Sequence, residues 1–254
     1  RARDEEEKQT LTSSFFQTLF SDDDDDDNDD DEPTATTTTK TNDRTEAAAL
    51  ARKKHGIRVK GSGIGGSNNT NSSEIPPPLD DFAAALSRAP EAGGVRAALR
   101  RNLESQGWME PTPIQRQVVP LLSMGREVLA IAPTGSGKTL AFLLPVVVGC
   151  TRAREKERSK KAKVKKKKGS SSPSPSSSSY PRALVLSPTR ELAAQTARVL
   201  AKLAEGTGVR GKVLTRGAAA AGASFEGVDV LLATPLRLAR ALSKKKKKKN
   251  KNKS

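Results

Sequence analysis

Eight consecutive residues, Ala132–Thr139 (APTGSGKT), combine residue types at a spacing that suits phosphate binding. Gly135 and Gly137 permit a tight turn in which several backbone N–H groups converge. Lys138 can reach outer phosphates, and the Thr139 hydroxyl is a ligand for Mg²⁺. Lys138 is the only charged side chain of the loop, so we expect it to face solvent until phosphate binds. The spacing predicts a loop that holds a nucleoside triphosphate.

The segments on either side of this loop support the prediction. The apolar run 127–132 (EVLAIA) predicts a buried parallel strand, and the run from Lys138 to Val148 predicts a helix whose N-terminus adds partial positive charge. The strict pattern begins with glycine, where this chain has Ala132. The alternative is a glycine-rich turn that only closes a strand–helix unit.

Further apolar runs alternate with helical patterns along the chain. Strands are predicted at 183–187, 212–214 and 228–233, and helices at 82–90, 95–107, 112–124, 191–204 and 235–242. Among the caps, we expect Thr112 to precede one helix, Pro113 and Pro235 to open helices, and Gly107 to end one. The fold class is therefore α/β, with helices on both faces of a parallel sheet.

Charge and composition divide the chain into a folded part and flanks. Hydrophobic residues make up 34% and aromatic residues 3%, and the net charge is +16. We predict a disordered, low-complexity extension and linker over 1–81, including the acidic run 22–32. The folded region is 82–242, interrupted by a disordered basic and serine-rich insertion at 151–180, and 243–254 is a lysine-rich tail.

The remaining composition limits the class of protein. The basic balance outside the charged runs fits a nucleic-acid partner, and ordinary solubilising charge explains it equally well. One cysteine, no long apolar run and no apolar leader segment indicate an intracellular protein without disulfides or a membrane partner. His55, the single histidine, excludes a histidine-based metal cluster.

Four segments resemble DEAD-box RNA helicases in the order that the family has them. They are GWMEPTPIQ (107–115), similar to the Q motif; APTGSGKT, the family's form of the phosphate loop; SPTRELAAQ (187–195), similar to motif Ia; and TPLRL (234–238), similar to motif Ib. The resemblance covers 82–242 and implies part of a RecA-like helicase domain. Upstream, HGIRVKGSGI and IPPPLDDF look most like the branch that assembles the small ribosomal subunit.

For the nucleotide, the resemblance implies ATP and Mg²⁺ as cofactors. The Gln115 amide would read the adenine edge and favour ATP over GTP, and Phe82 would pack on the base. Trp108 stands where the family usually has Phe, and a half-buried core position is the alternative for its role. Catalytic roles fall to Lys138 and Thr139, and Thr139 would hold Mg²⁺ through ATP. The implied nucleotide-binding set is Phe82, Gln115, Ala132, Pro133, Thr134, Gly135, Ser136, Gly137, Lys138 and Thr139.

For the partner, the resemblance implies RNA held by its backbone with little sequence preference, and no DNA. The implied RNA-binding set is Pro188, Thr189, Arg190, Glu191, Thr234, Pro235 and Arg237. An ion pair between Arg190 and Glu191 that only shapes the loop is the alternative for Arg190. The usual Gly-Gly between the two RNA segments is absent, and Arg216 and Gly217 are weak substitutes.

The family's Asp-Glu-Ala-Asp segment and second domain do not follow TPLRL in this sequence. We therefore expect either a fragment of a longer protein, as the missing initiating Met also indicates, or a mispredicted reading frame. The chain alone should bind nucleotide weakly and hydrolyse it negligibly, because phosphoryl transfer needs several groups together. The full-length protein is expected to unwind or remodel RNA, with pre-rRNA and ribosome-assembly factors as partners, in the nucleus or nucleolus or otherwise the cytoplasm. The alternatives are a non-enzymatic basic RNA-binding fragment and a phosphate-loop NTPase of another kind.

Overall fold

The structure, a computed structural model, describes residues 37–60, 75–168, 180–217 and 225–251. The acidic run 22–32 and the serine-rich part of the insertion, 169–179, lie outside the described residues. The chain divides into two compact units. The first unit contains the residues up to Arg88 and Met109–Pro145, and the second contains Ala89–Trp108 and the residues from Val146 onward.

The helices are α1 (Thr37–Lys54), α2 (Phe82–Leu86), α3 (Val95–Ser105), α4 (Pro113–Ser123), α5 (Lys138–Lys168), α6 (Arg190–Leu203) and α7 (Pro235–Lys251). The strands are β1 (Ala183–Leu186), β2 (Gly211–Val213) and β3 (Val230–Ala233). All three strands belong to the second unit.

These strands form one parallel sheet in the order β1-β3-β2. Leu231 and Ala233 pack on one face with Leu238 of α7. Alternate residues of a strand face opposite sides, and on the other side Gly211 leaves room for Leu200 of α6, beside Leu232. The prediction of a parallel sheet with helices on both faces is confirmed.

A buried network of charged residues lies at the end of the sheet where the strands begin. Asp229, 1% exposed, precedes β3 and pairs with Arg182 before β1 and with Arg154 of α5. Its Oδ2 also accepts a hydrogen bond from the Arg210 backbone N–H, at 2.9 Å. Arg182 forms a second pair with Glu157, at 2.7 Å. The network therefore connects the starts of all three strands with α5.

Before the phosphate loop, the predicted end of α3 and the predicted start of α4 agree with the structure, whereas α2 ends at Leu86 and not at 90. Gly107 follows α3 with a left-handed φ of 71°, a conformation that glycine adopts without a steric penalty. Thr112 precedes α4 in an extended conformation, and Pro113 is the first residue of the helix.

The strand predicted at 127–132 is not present. In the described part of the chain these residues pair with no strand, and Leu129 and Ile131 are 91% and 88% exposed. An apolar run becomes a strand only when its backbone groups pair with a neighbouring strand. Among the described residues, the first unit contains no strand that could pair with this run.

Three segments predicted to be disordered contain helix. The insertion begins as a continuation of α5 through Lys168, the lysine-rich tail continues α7 through Lys251, and the N-terminal extension contains α1. Lysine, arginine and alanine are good helix formers, and a helix that is already nucleated extends at little cost. The start of the insertion is also packed, since Thr151 is buried and Arg154 belongs to the charge network.

Among the described residues, no helix combines the length and apolar character needed to cross a bilayer.

Candidate functional site

The phosphate loop lies in the first unit, between α4 and α5. Gly135 and Gly137 have φ values of 82° and 86°, which side chains rarely tolerate. A Cβ atom on Gly137 would collide with the Gln115 side chain, so the close approach of these two residues also requires glycine. The carbonyl of Gly137 accepts from Ala141 N and starts α5 directly after the loop. The turn and the helix N-terminus predicted at this place are thus both present.

The Lys138 side chain folds back onto its own loop. Its Nζ donates to the carbonyl oxygens of Ala132, at 2.6 Å, and Pro133, at 2.7 Å. The ammonium group, which we expect to face solvent before phosphate binds, is half-buried and hydrogen-bonded to the loop's own carbonyls. An incoming phosphate would exchange these two charge-assisted hydrogen bonds for its own oxygens.

Helix α4 holds the loop through two side chains. Thr112 Oγ1 donates to the Ser136 carbonyl, at 2.8 Å, and Gln115 Nε2 donates to the Gly137 carbonyl, at 3.1 Å. Gln115 Oε1 in turn accepts from the Thr112 backbone N–H, at 2.9 Å. Gln115 is 4% exposed. Its amide therefore connects the start of α4 to the loop, in addition to the adenine contact implied by the resemblance.

The loop retains capacity for an anionic ligand. The Ser136 hydroxyl oxygen is buried without a hydrogen-bond partner, a costly arrangement that a bound group would relieve. Thr139 is half-buried at the start of α5. Within the described ranges, no three His, Cys, Asp or Glu side chains come together as a metal-binding group. The residues thus fit a metal carried by the phosphates and completed by the Thr139 hydroxyl, and they do not form a separate metal site.

The aromatic residues are placed as follows. Phe82, the first residue of α2, is 5% exposed, so its ring packs inside the first unit. Trp108 is half-buried in the second unit. Base stacking by Phe82 stays a prediction. Trp108 is half-buried, as its alternative role of a core aromatic residue requires.

The residues implied for RNA lie at one edge of the sheet, in the second unit. Leu186 and Ala233 are register partners at the carboxyl ends of β1 and β3, and Ser187 N donates to Ala233 O at 2.9 Å. The chain then enters α6 after Thr189 and α7 after Thr234. Two helix N-termini, each with partial positive charge, thus begin beside each other.

This edge is open to solvent. Pro188, Thr189, Arg190 and Glu191 are all exposed. Arg190 and Glu191 approach to 3.9 Å, with side chains 71% and 77% exposed, so the ion pair contributes little and does not occupy the guanidinium.

The other members of the RNA set differ in exposure. Pro235 is exposed, and Thr234 and Arg237 are half-buried. The Thr189 hydroxyl accepts from Leu192 N, at 3.2 Å, and caps α6. Arg216, the substitute for the missing Gly-Gly, is exposed after β2.

Several residues that hold α4 against neighbouring segments were not predicted from the sequence. Arg116 and Gln117 were treated as ordinary helix positions, and both are buried. Arg52 was placed in a disordered region, although it contacts α4 through Gln117. The signal available for Arg116 and Gln117 was their polarity inside an otherwise apolar helix, and Arg52 had no comparable signal.

The first unit thus contains a phosphate-loop sequence at the start of a helix, and the second unit contains a parallel sheet. A family model of the DEAD/DEAH box helicases matches residues 112–253, and the chain belongs to this family.

Individual relatives agree with the family match. DEAD-box ATP-dependent RNA helicase 57 of Arabidopsis thaliana is 40% identical over 206 residues, covering 80% of this chain and 31% of the relative. Probable ATP-dependent RNA helicase DDX52 of Bos taurus is 34% identical over 199 residues, covering 77% and 27%. The chain thus spans about a third of the length of the curated relatives it matches.

Solved structures show the same fold. The yeast DEAD-box splicing factor Prp28 aligns with a TM-score of 0.54 and 26% identity, covering 78% of this chain and 40% of that one. The Prp28 RNA helicase of Chaetomium thermophilum, solved with ADP, aligns with a TM-score of 0.51 and 27% identity over the same shares.

Proposed function

We propose that this chain is the nucleotide-binding part of an ATP-dependent RNA helicase, an enzyme that hydrolyses ATP to unwind or remodel RNA. The observation that supports it most is the connection of α4 to the phosphate loop through Thr112 and Gln115. The names of relatives at 34–40% identity point the same way.

In this proposal ATP binds in the loop with its outer phosphates beside Lys138. Mg²⁺ neutralises the phosphate charge when bound, and the Thr139 hydroxyl would be its protein ligand. The Ser136 hydroxyl gains the hydrogen-bond partner that it lacks. Gln115 has a second amide N–H and a second acceptor lone pair, which would read the adenine edge while its present contacts persist.

RNA binds along the sheet edge in the second unit. The N–H groups at the starts of α6 and α7, the Thr189 and Thr234 hydroxyls and the Arg190 guanidinium suit phosphate and sugar groups. None of these contacts reads a base, so the proposed binding is weakly selective for sequence and strongly dependent on salt.

We also propose that the protein acts on pre-rRNA, with ribosome-assembly factors, in the nucleolus. The support is the resemblance of 55–64 and 75–82 to the branch that assembles the small ribosomal subunit. Depletion that leaves pre-rRNA processing unchanged, or a tagged protein confined to the cytoplasm, would contradict this narrower proposal.

The function is tested with the full-length protein and a short RNA duplex that has a single-stranded overhang. We expect ATP, and not GTP, to support release of the labelled strand. Tight duplex binding with no strand release at any ATP concentration would favour the second candidate, a basic RNA-binding protein without enzymatic activity. The lysine-rich ends of α5 and α7 are the observation that favours this candidate.

A further inference from the structure

The Arg52 side chain connects helix α1 to α4. Ala48 is 6% exposed, and Arg52 lies one helical turn later on the same face. Arg52 Nε donates to Gln117 Oε1 at 2.8 Å. Its Nη2 donates to the carbonyls of Ile75, at 3.1 Å, and Pro76, at 2.9 Å. The guanidinium therefore joins α1, α4 and the extended segment that precedes α2.

The same extended segment is fixed to α4 at further points. Gln117, 4% exposed, donates from Nε2 to the Pro76 carbonyl at 2.9 Å. Arg116 donates from Nη1 to the carbonyls of Leu79 and Asp80, both at 2.7 Å, and its own carbonyl accepts from Leu79 N at 2.8 Å. We call Arg52, Gln117 and Pro76 the Arg52 clamp.

The clamp and the phosphate loop contact the same helix. Gln117 lies two residues after Gln115, which donates to the Gly137 carbonyl of the loop. All of these residues belong to the first unit. A shift or rotation of α4 would thus move Gln115 relative to the loop. The clamp restricts that movement because it holds Gln117 of the same helix to Arg52 and Pro76.

We propose that α1 is a positioning element of the nucleotide site and that Arg52 is its main positioning residue. The inference rests on the proposed binding of ATP in the loop. A preorganised α4 keeps the loop carbonyls hydrogen-bonded. Nucleotide binding then does not include the free-energy cost of ordering the loop. Coupling between two sites is reciprocal, so nucleotide in the loop stabilises the docking of α1 by the same factor.

The test uses a fluorescent ATP analogue and four forms of the full-length protein: wild type, Arg52→Ala, Arg52→Lys and the control Lys53→Ala. Lys53 is the exposed neighbour of Arg52 on α1. We expect Arg52→Ala to raise the Kd by roughly fivefold or more. Arg52→Lys keeps the charge but cannot form the forked contacts, so its Kd should rise nearly as much. Lys53→Ala should match the wild type.

Hydrogen exchange of the wild type supplies a readout that a purely structural role would not move. We expect the ATP analogue to slow backbone exchange in 46–57, through the reciprocal coupling. No change in 46–57 on saturation with nucleotide would overturn the inference, and so would an unchanged Kd in both Arg52 variants. If the wild type binds no nucleotide, the proposed function fails instead, and the two failures are distinguishable.

Discussion

At the scale of single residues, Gln115 uses both ends of its amide on backbone groups, at Thr112 N and Gly137 O. Gln115→Ala removes both hydrogen bonds, and Gln115→Glu keeps the acceptor but removes the donor to Gly137. We expect both variants to weaken ATP binding and to reduce the preference for ATP over GTP. The expected loss of binding free energy is about 1–3 kcal/mol, the cost of removing a buried hydrogen bond.

Competition of ATP and GTP against a fluorescent nucleotide measures this prediction, with exposed Gln195→Ala as the control. Unchanged affinity and unchanged preference for ATP in both Gln115 variants would show that this residue only opens α4.

Cys150 is buried in the second unit, and its thiol should be unreactive. Burial raises the pKa of Cys150 from 9.0 to about 12, and the Asp229 carboxylate adds to the rise against the opposing effect of Arg182 and Arg154. At pH 8 we expect iodoacetamide to alkylate the folded protein at least roughly 100-fold more slowly than the protein in denaturant, because thiolate is the reactive form.

The same pKa shift gives a stability change with a defined sign. The folded state disfavours the thiolate, so the contribution of Cys150 is fully present below pH 9 and is lost as the pH rises from 9 towards 12. Urea unfolding across this range should show a smaller pH-dependent loss in Cys150→Ala than in the wild type. Rapid alkylation at pH 8 without denaturant would contradict the buried position.

At the scale of secondary-structure elements, the Asp229 carboxylate stabilises the start of the sheet through its buried ion pairs. Asp229→Asn removes the buried charge partner of the Arg182 guanidinium, which is only 9% exposed, and leaves it the more exposed Glu157 alone. Breaking a buried pair in this way costs roughly 3–5 kcal/mol. Chemical denaturation followed by circular dichroism should show this loss, whereas exposed Glu104→Gln should be nearly neutral. Equal stabilities for the two variants would contradict the role of the network.

Elements that bury a continuous apolar face were predictable from the sequence. β3 and α6 lie within a few residues of their predicted bounds, because local pattern and tertiary burial agree there. β1 also lies close to its predicted bounds, although Leu184 and Leu186 are exposed. The run 127–132 was not predictable in the same way, since a strand depends on a neighbour that local pattern does not reveal.

Composition alone did not indicate the helices in the charged segments. Lysine runs predict solvated chain by composition, yet their helix propensity extends α5 and α7. At the candidate site, residue types identified the loop and its glycines. The contacts of Lys138 with Ala132 and of Arg52 with Gln117 depend on how the folded chain packs, which spacing cannot show.

At the scale of the whole molecule, the lysine-rich ends of α5 and α7 add charge without a specific RNA site. We expect replacement of the lysines in 160–168 and 244–253 by glutamine to lower RNA affinity at low salt. The salt dependence should flatten by about 0.7 in slope for each RNA phosphate that the lysines no longer neutralise. RNA stimulation of ATP hydrolysis should remain, because the proposed function assigns the specific RNA contacts to the sheet edge and not to these lysines.

Residues 151–159 are kept unchanged in this variant, because Arg154 and Glu157 belong to the buried charge network. Filter binding at several salt concentrations measures the slope. Absence of RNA stimulation in this variant would show that the lysine segments are part of the working RNA site and that the assignment at Thr189 and Thr234 is incomplete.

The central claim is that the loop around Lys138 binds ATP for an RNA-dependent reaction. Its most direct test is the rate of ATP hydrolysis by the full-length protein, with and without single-stranded RNA, in the wild type, in Lys138→Ala and in exposed Lys202→Ala. We expect RNA to stimulate the wild type and Lys202→Ala alike. Lys138→Ala should lose at least roughly 100-fold in rate, because phosphoryl transfer relies on positioned charge, with little change in melting temperature. Hydrolysis by Lys138→Ala at the wild-type rate, or a wild-type rate indifferent to RNA, would contradict the claim.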